Sequence, residues 1–585
     1  MSLTKQIVRR PQVDQHQLPT SLHPLLRRLL ASRGIVEDHQ LQHELANLAD
    51  PYLMKGMAQS VDRLQQALIA QQKIVIVGDF DADGATSSAL CMLALTAMGF
   101  VNVSFTVPNR FEYGYGLSPA IVDELGWQKP DLLVTVDNGI SSLEGVALAN
   151  QRGMDVVITD HHLPGEQLPA AHAIINPNQA GCEFPSKALA GVGVVFHLLI
   201  ALRKRLRESG WFSTQQIPEP NLANYLDIVA LGTVADVVPL DYYNRILVAQ
   251  GIKRIRAGRM RPGIQKLLAL ANRDHRHITS TDLGFVLGPR LNAAGRLDDM
   301  TQGIMLLMTD SEPLAAELAQ VLDEFNRDRK QIEQQMQFEA LQIVDEVAGQ
   351  LESVPRGLCL FHHGWHQGVV GLVASRIKER YHRPVIAFAP ADAADTSADI
   401  ELKGSGRSIK GIHLRDVLDE VASANPGLLE KFGGHAMAAG LSLRQSQLPA
   451  FEAAFLAALD QITDDQVFEA SLESDGEVEC RDMNLNTAML IRDAVPWGQA
   501  MPEPLFEGQF RVVGQRLLAG KHLKFQACYP DEQQPVDAIW FNCDTEQWPA
   551  ADGALVDLVY RMSINHFRGD QILQLIVEQM TVRPA

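Results

Sequence analysis

The chain has 585 residues, too many for one hydrophobic core, and usual domain sizes predict three or four domains. Its six cysteines (Cys91, Cys182, Cys359, Cys480, Cys528, Cys543) are scattered without a Cys-x-x-Cys pair, which argues against a zinc site or disulfide framework and predicts a reducing, cytoplasmic setting. The net charge of −19 governs solubility but does not exclude a nucleic-acid partner, because binding depends on where the basic residues sit.

Residues 1–50 are polar and punctuated by proline, then broadly helical, and they lack the apolar core of a secretory signal. From 51 to 305 strand-like apolar runs alternate with helix-like stretches, the pattern of a parallel α/β domain. Three of these runs end on an acid: Val75 to Asp79, continuing to Asp81 and Asp83; Leu132 to Asp137; and Val156 to Asp160, followed by His161 and His162. Ligands of parallel sheets gather outside the carboxyl ends of the strands, so these side chains are expected to converge. A fourth apolar stretch ends at Ala235-Asp236-Val237-Val238-Pro239. Carboxylate oxygen and imidazole nitrogen without thiolate suit Mn²⁺ or Mg²⁺ better than soft metals. The longest apolar stretch, Ala188 to Leu202, is shorter than a bilayer-spanning helix and reads as a buried core helix, so no membrane association is expected.

Basic residues cluster at Arg203, Lys204, Arg205 and Arg207, at Lys253 to Arg261, and at Arg376 to Arg383. Each cluster reads either as a solvated helix face or as a phosphate-binding patch. Asp310 or Ser311 with Pro313 marks a helix start, and apolar residues from Leu314 to Val344 keep helical spacing, which predicts a long helix across 306–350, either a connector between two lobes or an ordinary long core helix. A second α/β unit follows over 351–462, with strands at Gly357 to Phe361, Val385 to Phe388 and Leu402 to Arg407. Over 463–585 short alternating strands predict a small β-barrel. Phe525, Trp540 and Phe567 among Arg511, Arg516, Lys521, Lys524 and Arg568 fit either base stacking or core packing.

Phosphate-holding groups on constrained backbone recur outside the acidic motifs. Gly404-Ser405-Gly406-Arg407-Ser408 pairs a guanidinium and hydroxyls with permissive backbone, and Arg290, Asn292 and Arg296 sit in Gly288 to Arg296. Arg110 follows Pro108-Asn109. Trp365 to Gly371 precedes a helix running through Ser375 and Arg376, and serves either to present amide groups to a phosphate or to pack Trp365.

Asp79-Phe80-Asp81-Ala82-Asp83-Gly84, Asp137-Asn138-Gly139, Asp160-His161-His162 and Ala235 to Pro239 resemble, in order and spacing, the four motifs of the DHH phosphoesterase family. Gly433-Gly434-His435-Ala436-Met437-Ala438-Ala439-Gly440 is similar to the signature of the accompanying DHHA1 domain. The whole chain past about residue 50, barrel included, resembles the members that degrade single-stranded DNA from the 5′ end in recombination and repair. That resemblance implies two α/β lobes, DHH and DHHA1, joined by a long helix, with a C-terminal OB-like barrel that holds DNA. It implies two divalent cations, Mn²⁺ or Mg²⁺, bridged by Asp137, with Asp81, Asp83, His161 and Asp236 as further ligands. His162 then binds phosphate or orients a ligand, and Arg110, Arg290, Asn292, Arg296, Ser375, Arg407, Ser408 and His435 contact the DNA backbone or its 5′ end. Val77 stands where many relatives have a histidine; either one metal binds more weakly or Asp79 substitutes. A monomer working with a single-strand-binding protein and a helicase is the expected setting. Two rivals are a DHH hydrolase of short oligonucleotides or cyclic dinucleotides, which needs no barrel, and a non-catalytic DNA-binding scaffold, which needs no ligand set.

Overall fold

The structure, a computed structural model, describes residues 5–15, 17–109, 116–350, 354–392, 394–395, 397–543, 552–567 and 569–583. The chain divides into two compact units, Pro11–Asn326 with Asn486–Pro504, and Met1–Arg10 with Arg327–Leu485 and Leu505–Ala585. β1 (Gln6–Arg9) pairs in parallel with Ser471–Ser474. The sequence expectation here is a polar, proline-punctuated start that then turns helical, and no local pattern reveals this strand because its partner lies far along the chain.

In the first unit β2 (Ile74–Gly78), β3 (Val103–Thr106), β4 (Leu132–Val136), β5 (Asp155–Thr159) and β6 (Ala173–Ile175) form a parallel sheet in the order β3-β2-β4-β5-β6. β2 and β4 are buried at every residue, because a parallel sheet covered on both faces needs unbroken apolar strands. Val75, Val77, Leu133, Val156 and Ile158 form one core with Leu117, Ile121 and Val122. Helices Ala82–Ala97, Gly191–Glu208 and Leu226–Ala235 pack on one another beside the sheet. The apolar stretch before Asp236 is thus a buried helix, a case that hydrophobicity alone cannot separate from a buried strand. The chain order reverses about β2, between β3 and β4, and this is the switch point where open α/β sheets bind ligands. Asn486–Pro504 belongs to this unit as well: Leu240 N–H donates to the Gln499 carbonyl (2.8 Å) and the Ser280 hydroxyl to that of the buried Trp497.

The helix Glu312–Gln350 starts where Ser311 and Pro313 place it. In the second unit β7 (Leu358–Phe361), β8 (Val385–Pro390), β9 (Glu401–Arg407), β10 (Lys431–Gly434) and β11 (Ala438–Arg444) form a mixed sheet in the order β10-β11-β9-β8-β7. β12 (Ser471–Ser474) is the partner of β1. β13 (Phe506–Leu518), β14 (His522–Cys528), β15 (Val536–Trp540), β16 (Leu555–Phe567) and β17 (Asp570–Val582) close into a barrel in the order β13-β14-β15-β17-β16. Closure leaves no free sheet edge. Phe525 is a barrel-core residue and not a stacking platform, since it is 2 % exposed. The Phe567 side chain and Arg568 lie outside the described residues. Among the described residues no helix is long and apolar enough to cross a membrane.

Candidate metal centre

The acidic motifs meet at the carboxyl ends of β2, β4 and β5, and ordinary local chemistry places each side chain. Asp81 caps the helix Ala82–Ala97, accepting from the amides of Asp83 (2.9 Å) and Gly84 (3.0 Å), as a short acid at that position favours. Asp83, one turn position later, accepts from the amides of Gly191 (2.6 Å) and Val192 (2.9 Å) at the start of the helix Gly191–Glu208. Asp137 follows β4 in the left-handed backbone region (φ 63°), which costs non-glycine residues energy but admits Asp more readily than most. A Cβ on Gly191 would lie 2.7 Å from Asp137 Oδ1, so only glycine lets this helix start abut the carboxylate. Asn138, wholly buried, donates to the carbonyls of Val77 (3.0 Å) and Val136 (2.9 Å) and ties the ends of β2 and β4 together.

Beyond β5 the buried Asp160 is an acceptor hub. Its Oδ1 accepts from the amides of His161 (2.7 Å) and His162 (3.0 Å) and lies 2.7 Å from His162 Nδ1, while Oδ2 accepts from Ile140 N–H (2.9 Å). Burial alone would raise the Asp160 carboxyl, but the His162 hydrogen bond and charge hold it below the usual carboxylate range. Burial likewise opposes protonation of His162, yet its bond to Asp160 and that residue's charge push it up to about 9. His161 is driven the other way, chiefly by burial, and is the neutral imidazole that metal ligation needs.

His161 Nε2 lies 3.1 Å from Asp137 Oδ1, 3.5 Å from Asp236 Oδ2 and 3.9 Å from Asp83 Oδ2. His161 Nε2 and Asp236 Oδ2 are buried without a hydrogen bond among the described residues. Burial first, then the charge of Asp236, lifts Asp83 to about 7; burial, then Asp81, lifts Asp236 to about 7; and Asp137 is raised well above the carboxylate range. Buried acids this close cannot all ionise without a cation among them.

Potential ligand atoms of Asp83, His161 and Asp236 lie within 4.8 Å of one another, as do those of Asp79, Asp81 and Asp137, and those of Asp137, His161 and His162. The first two triads share no residue, and the contact between Asp137 and His161 joins them. Two cation positions side by side fit this pattern, and its oxygen-rich donor set fits Mn²⁺ or Mg²⁺. Asp79, 3 % exposed, stands with Asp81 and Asp137 where the buried Val77 offers no ligand.

The remaining expected site residues separate into two kinds. In the first unit Asn292 Oδ1 accepts from the Ala82 amide (2.8 Å), so it braces the first acidic motif from behind. Arg290 is committed to Asp323 (2.9 Å) and the Val286 carbonyl (2.7 Å), and Arg296 sits in the last turn of the helix Gly288–Leu297. Arg110 lies outside the described residues; Asn109 before it lines a cavity of about 240 Å³ with Phe80, Asp298 and Asp299. In the second unit Arg407 donates to the Ser405 hydroxyl (3.0 Å) and the Gly406 carbonyl (2.7 Å) and pairs with no carboxylate among the described residues. A Cβ on Gly371, in the first turn of the helix Val370–Tyr381, would meet the Arg407 guanidinium at 2.8 Å. Ser375 lies on that helix, half-exposed, 3.5 Å from Glu379. Ser408 is buried with its hydroxyl donating to the Ile412 carbonyl (2.8 Å), and His435 is exposed in the β10–β11 turn. Trp365 is buried and donates to Glu339 (2.9 Å), which favours packing for its segment. Many of the basic residues in the clusters are internally paired, as with Arg205 and Asp62, Arg256 and Asp493, and Arg376 and Glu333. The brace of Asn138 and the hub at Asp160 escape sequence reasoning, because both lie inside the motifs yet act through backbone amides and carbonyls.

The family model for the DHH family, N-terminal domain, matches residues 73–233, that for the DHHA1 domain residues 354–463, and that for the RecJ OB domain residues 474–579. The single-stranded-DNA-specific exonuclease RecJ of Dickeya dadantii is 52 % identical over 580 residues, covering 99 % of this chain and 100 % of the relative. The Escherichia coli protein of the same description is 51 % identical over 574 residues, 98 % of each chain. Crystal structures of RecJ from Thermus thermophilus in complex with Mn²⁺ and with Mg²⁺ superpose with TM-scores of 0.78 and 0.74 at 26 % and 25 % identity, covering 99 % of this chain and 80 % and 78 % of those. With relatives more than half identical along its whole length, and all three domain models matched in order, the chain belongs to the RecJ family of DHH/DHHA1 phosphoesterases.

Proposed function

We propose that the protein is a metal-dependent exonuclease that degrades single-stranded DNA from the 5′ end, releases 5′-mononucleotides, and acts in recombination and repair. The observation that carries the chemistry is the pair of ligand triads joined through Asp137 and His161. Asp83, Asp137, His161 and Asp236 would hold one cation and Asp79, Asp81 and Asp137 the other. Divalent ions held there would supply charge to offset the phosphate oxygens and to lower the pKa of water for in-line displacement.

The chain's own residues fix the rest. Asp160 keeps His162 protonated, which suits it to donate to a phosphate oxygen beside the ions. The amides of Gly191 and Val192 hold Asp83 in place, and Asn138 fixes the spacing of the two strand ends. Arg407, which pairs with no carboxylate among the described residues and whose pKa burial lowers, offers a guanidinium to a DNA phosphate. Substrate and strand selectivity rest on the RecJ relatives. Cytoplasmic location, a monomeric state, and a single-strand-binding protein and helicase as partners belong to the same reading.

An oligonucleotide labelled at either end, incubated with Mn²⁺, tests it. Label at the 5′ end is released first as mononucleotide from a single strand, duplex is spared, and Asp81→Ala and His161→Ala abolish the reaction. Release from the 3′ end, or full activity in both variants, refutes the proposal.

A further inference from the structure

Leu283–Leu287 is a π-helical turn, a geometry rare in proteins and frequent at functional sites. It carries Phe285, whose side chain is 80 % exposed, although its neighbours Leu283 and Leu287 are buried. The backbone of this turn is pressed onto the element that delivers a metal ligand. A Cβ on Gly284 would lie 3.2 Å from Val234, and one on Gly288 3.1 Å from Ala235, the two residues before Asp236. The helix that continues from it reaches the first acidic motif as well. Asn292 accepts from the Ala82 amide, and Gly295 lies so close to the Phe80 carbonyl that a Cβ would collide with it at 1.7 Å. One continuous segment therefore packs on the two residues before Asp236 and on Phe80 and Ala82 of the first acidic motif, and it carries an exposed aromatic ring. Val237, next to Asp236, is also apolar and 62 % exposed, with a left-handed backbone (φ 63°) that β-branched residues rarely adopt.

An exposed phenylalanine on rigid helical backbone gains nothing for folding, while a nucleobase offers it a π-face regardless of sequence. We propose that Phe285 is a positioning residue on which a base of the single strand stacks, fixing the strand as it enters the metal centre. The proposal rests on single-stranded DNA being the substrate. Stacking of this kind needs an unpaired base, so Phe285 contributes to strand selectivity as well as to affinity.

The test is steady-state cleavage by the full chain in Mn²⁺ of a 5′-phosphorylated single strand in which one abasic residue is moved stepwise from the 5′ end. Wild type, Phe285→Ala and Phe285→Trp are compared. Expected is a KM raised about tenfold or more in Phe285→Ala with little change in kcat, and near wild-type behaviour in Phe285→Trp. An abasic residue at one position raises KM for wild type by a similar factor but leaves Phe285→Ala unchanged. An unaltered KM in Phe285→Ala, or an abasic penalty identical in both proteins at every position, overturns the proposal. Failure of the wild type to cleave the intact strand overturns the substrate reading instead.

Discussion

Removing the cations should destabilise the first unit most at alkaline pH, and the proposed ligands set the size of the effect. Asp83 and Asp236 titrate near 7 in place of 3.8, chiefly because they are buried and then because they face other acids. At 1.36 kcal/mol per pH unit, ionising either one in the metal-free fold costs about 4 kcal/mol at pH 8. The two are neighbours, so the costs do not simply add, and a combined penalty on the order of 5 kcal/mol is the working figure. The folded carboxyls keep protons that the unfolded chain releases near pH 4, so metal-free stability falls as pH rises from 4 through 7. Mn²⁺ replaces those protons and removes the penalty. Thermal unfolding followed in EDTA and in Mn²⁺ at pH 5.5 and 8 reads this directly. The expected gain from Mn²⁺ is roughly 5–10 °C at pH 8 and much smaller at pH 5.5. Equal melting of the metal-free protein at both values, or an equal gain at both, refutes the reasoning.

Asp160→Asn removes the charge that keeps His162 near 9, so about 30-fold less imidazolium is present at pH 8; kcat/KM should drop by that order and recover toward pH 6, and a pH-independent loss would assign Asp160 a structural role only. Gly191→Ala places a methyl 2.7 Å from Asp137 Oδ1 and should weaken Mn²⁺ binding, measured by calorimetry, at least tenfold while the fold persists by circular dichroism. Arg407→Ala should weaken binding of a 5′-phosphorylated strand and lower the salt slope of its affinity by about one, and Arg407→Lys should restore little because the fork geometry is lost.

Much of this centre is legible in the sequence because parallel strands buried on both faces must be continuous apolar runs, so the acids after Val77, Val136 and Thr159 stand out at their ends. The candidate ligand Asp236 is visible as an acid ending an apolar stretch, but the helical form of that stretch is not, since all of Leu226–Thr233 is buried and shows no period. The expected phosphate contacts are the least legible part. Arg290, Asn292 and Arg407 look alike as polar residues near glycine, yet one is bound to Asp323, one braces Ala82 and one lacks an acidic partner among the described residues. Such pairings join residues distant along the chain, and nothing local records them. The aromatic Phe525 misleads for the same reason: alternation in a barrel strand does not say which side faces in until the barrel closes.

The central claim is a pair of cations sharing Asp137, and electron paramagnetic resonance of the protein titrated with Mn²⁺ tests it most directly. The account predicts two equivalents bound per chain with the spectrum of an exchange-coupled pair, collapsing to an isolated ion or none in Asp137→Ala. A single uncoupled ion in the wild type, or a coupled pair that survives the loss of Asp137, would contradict it.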